Sequence, residues 1–119
     1  MQTVLIIVQA AVDENEKLSG AIRLATAISA QETETVDLRL FLSFDAVEAA
    51  FEDASNAGSL APIQRELQAL AKRGTQIRAC ELSAQSRQKS DRAMISGISL
   101  GTASDLSEWS LSADKVISF

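Results

Sequence analysis

The sequence predicts an α/β fold in which helices cover both faces of a parallel β-sheet. Short apolar runs alternate along the chain with segments whose apolar residues recur at helical spacing. The first run, residues 3–8 (TVLIIV), is aliphatic without alternation, as is typical of a strand buried on both faces. Strands that alternate with helices favour right-handed crossovers between parallel strands. The length of 119 residues predicts a single domain.

A first helix is predicted to follow this strand. Asp13 and Glu16 suit its first turn, where negative charge complements the helix dipole, and this role is favoured over a catalytic one. Its apolar face is formed by Leu18, Ala21, Ile22, Ala25 and Ile28.

The second predicted strand comprises residues 36–42 (VDLRLFL). Asp45 and Glu48 then have the spacing of a capping box, which predicts a short helix. The inner face of this helix would comprise Val47, Ala50, Phe51 and Ala54. Residues 56–59 (NAGS) are predicted to form a loop.

The third helix is predicted to have Pro62 in its first turn, where a missing N–H is tolerated. Its apolar stripe consists of Ile63, Leu67, Leu70 and Ala71. Gly74 suits the C-terminal cap of this helix. Residues 75–80 (TQIRAC) then predict a third strand, which ends at Cys80, the only cysteine of the chain.

After Cys80, Ser83 is predicted to cap a polar helix that reaches about Lys89. Residues 94–101 (MISGISLG) predict either a short strand or an irregular bend. Thr102 and Asp105 again have box-like spacing, which predicts a last helix.

That helix would turn Leu106 and Trp109 inward, and residues 115–119 (KVISF) predict a final strand. The whole pattern predicts a three-layer sandwich with a mostly parallel central sheet of about five strands. This architecture is typical of flavodoxin-like folds.

Composition argues against several classes of function. The net charge of −5 and the pI of about 4.6 disfavour direct nucleic-acid binding, and Arg87, Lys89 and Arg92 are interpreted as a solvated helix face. With no histidine and one cysteine, a zinc or haem site is not expected, and a Cys-His pair within the chain is excluded. The first residues lack a basic segment, and the apolar run there is too short for a signal sequence or a membrane span. We therefore expect a cytoplasmic protein without membrane contact.

Cys80 is predicted at the carboxyl end of a parallel strand, where α/β sheets gather their functional groups. The N–H groups of a helix starting there, near Leu82 and Ser83, would favour the thiolate, and Arg87 would add positive charge. The alternative is an inert cysteine that fills space at the end of a strand, which periodicity alone favours.

Three segments resemble the DsrE family, the small α/β proteins of bacterial sulfur relay, and the resemblance covers nearly the whole chain. Residues 21–28 (AIRLATAI) are similar to the family's first helix. Residues 77–80 (IRAC) resemble the strand that delivers its sulfur-carrying cysteine. Residues 101–119 (GTASDLSEWSLSADKVISF) resemble its C-terminal helix and last strand. The chain, residues 1–119, is accordingly identified as a single DsrE-like domain.

This resemblance implies that Cys80 accepts sulfane sulfur as a persulfide and transfers it to a partner protein, as a sulfurtransferase-type carrier. It also implies sulfur donor and acceptor proteins as partners, a homo- or hetero-oligomer (trimer or hexamer), and no metal or organic cofactor. One alternative is a non-catalytic structural subunit of a DsrE-type oligomeric complex, in which Cys80 would be buried. A small-ligand binding module ranks last, because the sequence contains neither GxGxxG nor a P-loop lysine motif.

Overall fold

The computed structural model describes residues 2–10, 15–30, 36–52, 57–87 and 93–119. Its strands are β1 (Gln2–Val8), β2 (Val36–Leu42), β3 (Gln76–Cys80), β4 (Ile98–Gly101) and β5 (Lys115–Ser118). Its helices are α1 (Asn15–Ser29), α2 (Ala57–Lys72), α3 (Glu81–Ser86) and α4 (Ala103–Ser112), and a 3-10 helix at Phe44–Ala50 lies between β2 and α2. The order of these elements is the one that the sequence pattern predicts.

Within the described residues the strands form one five-stranded sheet in the order β4-β3-β2-β1-β5. Every neighbouring pair of strands is parallel. β1 and β2 pair along their whole length, from Gln2 opposite Val36 to Val8 opposite Leu42. The predicted fold class, a sheet of parallel strands with helices around it, is therefore confirmed, and the structure adds the strand order.

The direction of each crossover determines which face its helix covers. From β1 to β4 the chain moves steadily across the sheet, and the last crossover returns past these strands to pair β5 with β1. Because such crossovers are right-handed, a reversal of direction moves the connecting helix to the opposite face. Accordingly α4 packs on one face of the sheet, and α1 and α2 pack on the other.

The larger core lies between the sheet and the helices α1 and α2, with the 3-10 helix beside them. Its fully buried large side chains are Ile6, Val8, Leu18, Ile22, Leu40, Leu42, Val47, Phe51, Leu67 and Leu70. The helix faces predicted from periodicity are confirmed, since both apolar stripes pack into this core with only Ile28 and Ala71 half-buried. Burial of these apolar side chains is the main stabilising contribution, about 25 cal/mol per Å² of apolar surface.

A smaller cluster on the α4 face consists of Leu5, Phe41 and Trp109. The rings of Phe41 and Trp109 meet edge to face, with centroids 6.2 Å apart and an interplanar angle of 84°. The guanidinium carbons of Arg39 and Arg78 lie 5.3 and 4.8 Å from the indole centroid. The predicted inward orientation of Trp109 is confirmed, and charged side chains share this face with one short helix.

The predicted C-terminal cap of α2 is also confirmed. Gly74 has φ 102°, a conformation that a side chain disfavours. Its N–H donates to the carbonyl of Ala71 at 3.0 Å, and the N–H of Thr75 donates to the carbonyl of Leu70 at 3.1 Å. These two bonds form a Schellman motif, which ends the helix and turns the chain into β3.

A reciprocal capping box starts α4, as the spacing of Thr102 and Asp105 predicts. Thr102 Oγ1 accepts from the Asp105 N–H at 3.1 Å, and Asp105 Oδ2 accepts from the Thr102 N–H at 2.8 Å. Asp105 Oδ1 also lies 3.0 Å from Arg78 Nη1. The hydrogen bond from the Thr102 backbone N–H lowers the pKa of the Asp105 carboxyl below 3.8, and Arg78 contributes to the same effect.

The predicted start of α2 is wrong. Residues 57–59, expected in a loop, belong to the helix, and Pro62 lies inside it rather than in its first turn. Proline removes one backbone hydrogen bond of the helix and crowds the preceding turn. These costs do not prevent the residues before it from being helical. A proline therefore marks a helix start less reliably than the prediction assumed.

The capping box predicted at Asp45 and Glu48 is absent. The element there is a 3-10 helix that Ser43 precedes, without a side-chain cap bond. The Asp45 carboxylate instead binds Arg87, the C-cap residue of α3. The buried positions predicted for Val47 and Phe51 are confirmed.

Two further predictions have mixed outcomes. Residues 94–101 contain both a bend and a strand, since Gly97 has φ 94° and β4 begins at Ile98. Glu16 lies in the first turn of α1, as predicted, whereas Asp13 and Ala54 lie outside the described residues.

Replacement of Thr102 by Ala is expected to lower the free energy of unfolding by about 1 kcal/mol, because the Asp105 N–H loses its acceptor. Urea unfolding at neutral pH measures this change. Ser104→Ala, at an exposed position in the first turn of the same helix, is the matched control and should shift stability by less than about 0.5 kcal/mol. Equal effects of the two substitutions would contradict the capping role.

The stability difference between the wild type and Asp105→Asn is expected to shrink as the pH falls. The folded-state pKa of Asp105 is lowered, so its ionised form stabilises the fold above the unfolded-state value near 3.8. That contribution is lost as the pH falls through the lowered folded-state pKa. Urea unfolding at about pH 7 and about pH 2.5 tests this, and a difference independent of pH would contradict it.

Candidate functional site

Cys80 lies where β3 ends and α3 begins. It is the last residue of the strand and the N-cap of the helix, with φ −62° and ψ 118°. Cys80 is a free cysteine, and the residue is half-buried and packs against both core clusters. The sulfur-bearing residue is therefore held in place by packing without being sealed in the interior.

The register of the sheet brings three strand ends together around this thiol. Leu42 of β2 pairs with Ala79, and Gly101 of β4 pairs with Cys80 itself. Because the strands are parallel, the residues that follow Leu42, Cys80 and Gly101 all leave the sheet at the same edge. This carboxyl edge is the candidate site.

Gly101 allows the strands to approach closely beside Cys80. A Cβ atom at this position would lie 2.8 Å from Phe41 Cε2 and 3.1 Å from Arg78 Cβ, too close for ordinary packing. Both groups belong to the α4 side of the sheet, where Arg78 covers the indole of Trp109. A side chain at this position would thus disturb the sheet next to the thiol.

Sequence reasoning misplaced the cap of the helix after Cys80. α3 comprises Glu81–Ser86, so Ser83 lies within the helix, and the end predicted near Lys89 lies outside the described residues. Ser83 is buried, and its Oγ accepts a hydrogen bond of 2.9 Å from the N–H of Phe44. The Ser83 hydroxyl, which was predicted to cap α3, thus accepts a hydrogen bond from a backbone N–H that is distant in the sequence.

Phe44 is held in an unusual backbone conformation by this bond. Its φ is 51°, the only positive φ of a non-glycine residue in the described part of the chain. The left-handed region costs a bulky residue about 1–2 kcal/mol, so it persists only where surrounding contacts enforce it. The side chain of Phe44 nevertheless remains 57 % exposed.

Arg87 provides a second link between α3 and the 3-10 helix. Its Nε and Nη2 lie 2.9 and 2.8 Å from Asp45 Oδ1, and its Nη1 donates to the carbonyl of Ser83 at 3.2 Å. Asp45 is 57 % exposed, so this ion pair alone contributes about 1 kcal/mol or less. We call the Phe44–Ser83 and Asp45–Arg87 pairs together the clamp.

The predicted thiolate-supporting residues therefore have distinct positions. Leu82 is 64 % exposed on the first turn of α3, whereas the Ser83 and Arg87 side chains take part in the clamp. Phe44 and Asp45 were missed as members of the site. The available signal was that both follow β2 directly, and so belong to the same carboxyl edge as Cys80.

The larger clefts lie elsewhere. One of about 470 Å³ between α1 and α2 is lined mainly by the C-terminal halves of these helices, together with Ala30 and Arg73, which directly follow them. Another of about 450 Å³ beside α4 is lined by Arg39, Arg78 and Trp109. Neither includes Cys80 in its lining, and the first lies near the amino ends of the strands, the opposite edge of the sheet.

The part of the chain that the structure describes bears on two kinds of feature: clusters of metal-ligating side chains and membrane-spanning helices. There, no three histidine, cysteine or acidic side chains are grouped to hold a metal ion. None of the described helices is long and apolar enough to cross a membrane.

Comparison with known proteins places these features in a family context. Residues 2–119 match the family described as DsrE/DsrF-like. Protein YchN of Escherichia coli (strain K12) is 36 % identical over 119 residues, which is 100 % of both chains. Protein YchN of Shigella flexneri has the same identity and coverage.

Solved structures agree with this match. The crystal structure of the ychN protein from E. coli superposes with a TM-score of 0.83 at 33 % identity, covering 100 % of both chains. A protein of unknown function from Methanobacterium thermoautotrophicum superposes with a TM-score of 0.61 over 99 % of this chain and 98 % of its own. At 13 % identity, the second similarity shows the fold alone.

Replacement of Ser83 by Ala is expected to lower the free energy of unfolding by about 1–2 kcal/mol, because the Phe44 N–H loses its acceptor. Urea unfolding measures the loss. Ser86→Ala is the matched control on the same helix, since its exposed Oγ only donates to the carbonyl of Leu82. A loss as large for Ser86→Ala would show that Ser83 acts through the helix and not through the clamp.

Proposed function

Because the chain belongs to the DsrE/DsrF-like family, a sulfur-relay type of family, we propose that it is a sulfur carrier that holds sulfane sulfur as a persulfide on Cys80. The single observation that carries this proposal is the position of the only thiol of the chain. Cys80 is half-buried at the carboxyl edge of a parallel sheet, which is where functional groups commonly lie in this fold class. This partial exposure favours a working thiol over the buried cysteine of a non-catalytic subunit.

Loading begins with the Cys80 thiolate. It attacks the outer sulfur of a persulfide on a donor protein, forming a new S–S bond as the old one breaks. The electron pair of the broken bond leaves with the donor, which becomes a thiolate. Cys80 then carries one additional sulfur atom, and no external oxidant is needed.

Unloading is the same exchange in the opposite direction. The thiolate of an acceptor protein attacks the outer sulfur on Cys80, and the Cys80 thiolate leaves. The chain has no second cysteine. No thiol of the same chain is therefore present to attack the persulfide and release sulfide before an acceptor arrives.

The start of α3 supplies the proposed support for the thiolate. The N–H groups of Leu82 and Ser83 belong to the first turn, where a helix has no carbonyl partners of its own for them. They present partial positive charge near Cys80. Arg87 contributes less than the sequence suggested, because its guanidinium is bound to Asp45.

We further propose that the carrier works as a homo- or hetero-oligomer, a trimer or hexamer, in the cytoplasm. The α4 face supports the assembly, because one helix of ten residues covers it and Val116 is left 47 % exposed there. A reducing compartment suits a lone thiol that must stay available for exchange.

The carrier role predicts a reversible mass gain. Wild-type protein incubated with inorganic polysulfide should gain the mass of one sulfur atom in intact-protein mass spectrometry, and dithiothreitol should remove it. Cys80→Ser should gain nothing. No gain on the wild type, or an equal gain on Cys80→Ser, would end the carrier proposal.

A peptide of residues 75–86 is the matched control for the contribution of the fold, since it carries the same thiol without its packing. The persulfide on the folded chain should outlive that on the peptide, because both core clusters shield the inner sulfur of Cys80. Equal lifetimes would mean that the fold adds nothing to the storage of sulfur.

A further inference from the structure

Two large apolar side chains are exposed on the segments that follow β2 and β3 at the carboxyl edge of the sheet. Phe44 is 57 % exposed and Leu82 is 64 % exposed. We propose that Phe44 and Leu82 form the docking patch on which a partner protein places its cysteine-bearing segment, one with an apolar residue next to the cysteine and a basic residue nearby. This inference rests on the proposed carrier function and specifies the partner that it serves.

The clamp places the two side chains on neighbouring pieces of backbone. The N–H of Phe44 donates to Ser83 Oγ at 2.9 Å, and Leu82 directly precedes Ser83. Cys80 is the N-cap of the same helix. Both apolar residues therefore belong to the two backbone segments that the clamp joins at the strand end of Cys80.

The backbone conformation of Phe44 is a second, independent observation. With φ 51°, the residue occupies a region that bulky side chains avoid, and its ring is exposed. The bonds to Ser83 and between Asp45 and Arg87 maintain this arrangement. A strained residue that displays apolar surface at a proposed site is a candidate for recognition.

The chemistry of the exchange explains why a protein partner would use this surface. An acceptor thiolate must reach the outer sulfur on Cys80, so the peptide that carries it must pass over the neighbouring residues. An apolar side chain beside the acceptor cysteine would remove Phe44 and Leu82 from water on contact. Inorganic sulfide has no such side chain and gains nothing from the patch.

Charge complementarity specifies the rest of the segment. Asp45 follows Phe44 and is 57 % exposed, and Glu81 precedes Leu82 and is half-buried. In the described part of the chain, Arg87 offsets the charge of Asp45, whereas Glu81 forms no ion pair. With a net charge of −5 for the chain, a basic residue on the partner is attracted to the rim of the patch.

The same charges argue against a second copy of this chain as the occupant. A two-fold contact through the patch would place Asp45 and Glu81 of each copy near those of the other. Like charges placed together at an interface oppose association. The occupant that fits is a different, basic protein segment.

The test uses short peptides whose cysteine is joined to thionitrobenzoate as a mixed disulfide. The Cys80 thiolate attacks the peptide sulfur, a new S–S bond forms, and thionitrobenzoate leaves with the electron pair and is measured by its absorbance. Lys-Leu-Cys-Leu should react about five- to tenfold faster with the wild type than Lys-Ser-Cys-Ser.

Three variants show whether the patch causes this preference. Phe44→Ser and Leu82→Ser should each reduce the Leu-to-Ser rate ratio severalfold, toward one. Gln85→Ser, at an exposed position on α3, is the matched control and should keep the full ratio. A ratio near one in the wild type, or an equal loss in Gln85→Ser, would overturn the proposal.

Two further measurements make the result specific. Glu-Leu-Cys-Leu should react more slowly than Lys-Leu-Cys-Leu, and added salt should shrink the difference. The absence of any charge effect would remove the basic residue from the proposal. Chromatography of Phe44→Ser should show the wild-type oligomeric state, whereas dissociation would assign the patch to contacts between copies and overturn the proposal.

Failure of this inference can be told apart from failure of the carrier function. Persulfide formation on Cys80 with inorganic polysulfide does not involve the patch. If the persulfide forms and the peptide ratio is one, the carrier stands and the docking surface does not. If the ratio is large and no persulfide forms, the surface is real and the sulfur chemistry is wrong.

Discussion

Parallel pairing of β2, β3 and β4 is the constraint on which the rest of the structure depends. Parallel strands all end at one edge, so the chain segments that follow Leu42, Cys80 and Gly101 have to leave the sheet side by side. The 3-10 helix, α3 and the capped start of α4 begin there for that reason. The thiol of Cys80 therefore lies at an edge where the segments that follow three different strands begin. Its own strand, β3, is only five residues long.

The clamp between α3 and the 3-10 helix is the local consequence of this arrangement. A helix of six residues is too short to be stable by itself, and tertiary contacts must hold it. Ser83 supplies one contact through the Phe44 N–H, and Arg87 supplies another through Asp45. The same bonds that steady the residues after Cys80 also keep Phe44 exposed in a strained conformation, so the support of the thiol and the display of apolar surface are linked.

Prediction from the sequence succeeded where a long periodic pattern decides the structure. The apolar stripes of α1 and α2, the strand at residues 36–42 and the box at Thr102 depend on contacts that repeat or lie within four residues. It failed where a side chain had a better partner far away in the sequence. The hydroxyl of Ser83 binds a backbone N–H 39 residues distant, and Asp45 pairs across 42 residues. Local capping rules consider only residues close in the sequence, so they do not account for hydrogen-bond partners that are distant in the sequence.

Composition and periodicity determined the alternation of strands and helices, the apolar faces and the presence of one thiol in an acidic chain without histidine. These properties depend on residue type and spacing, which the sequence states directly. Tertiary structure alone decided the strand order, the half-burial of Cys80, and the exposure of Phe44 and Leu82 on the segments that follow β2 and β3. The direction of each crossover and the register of each strand pair set those outcomes, and both depend on the packing of the whole sheet rather than on any single segment.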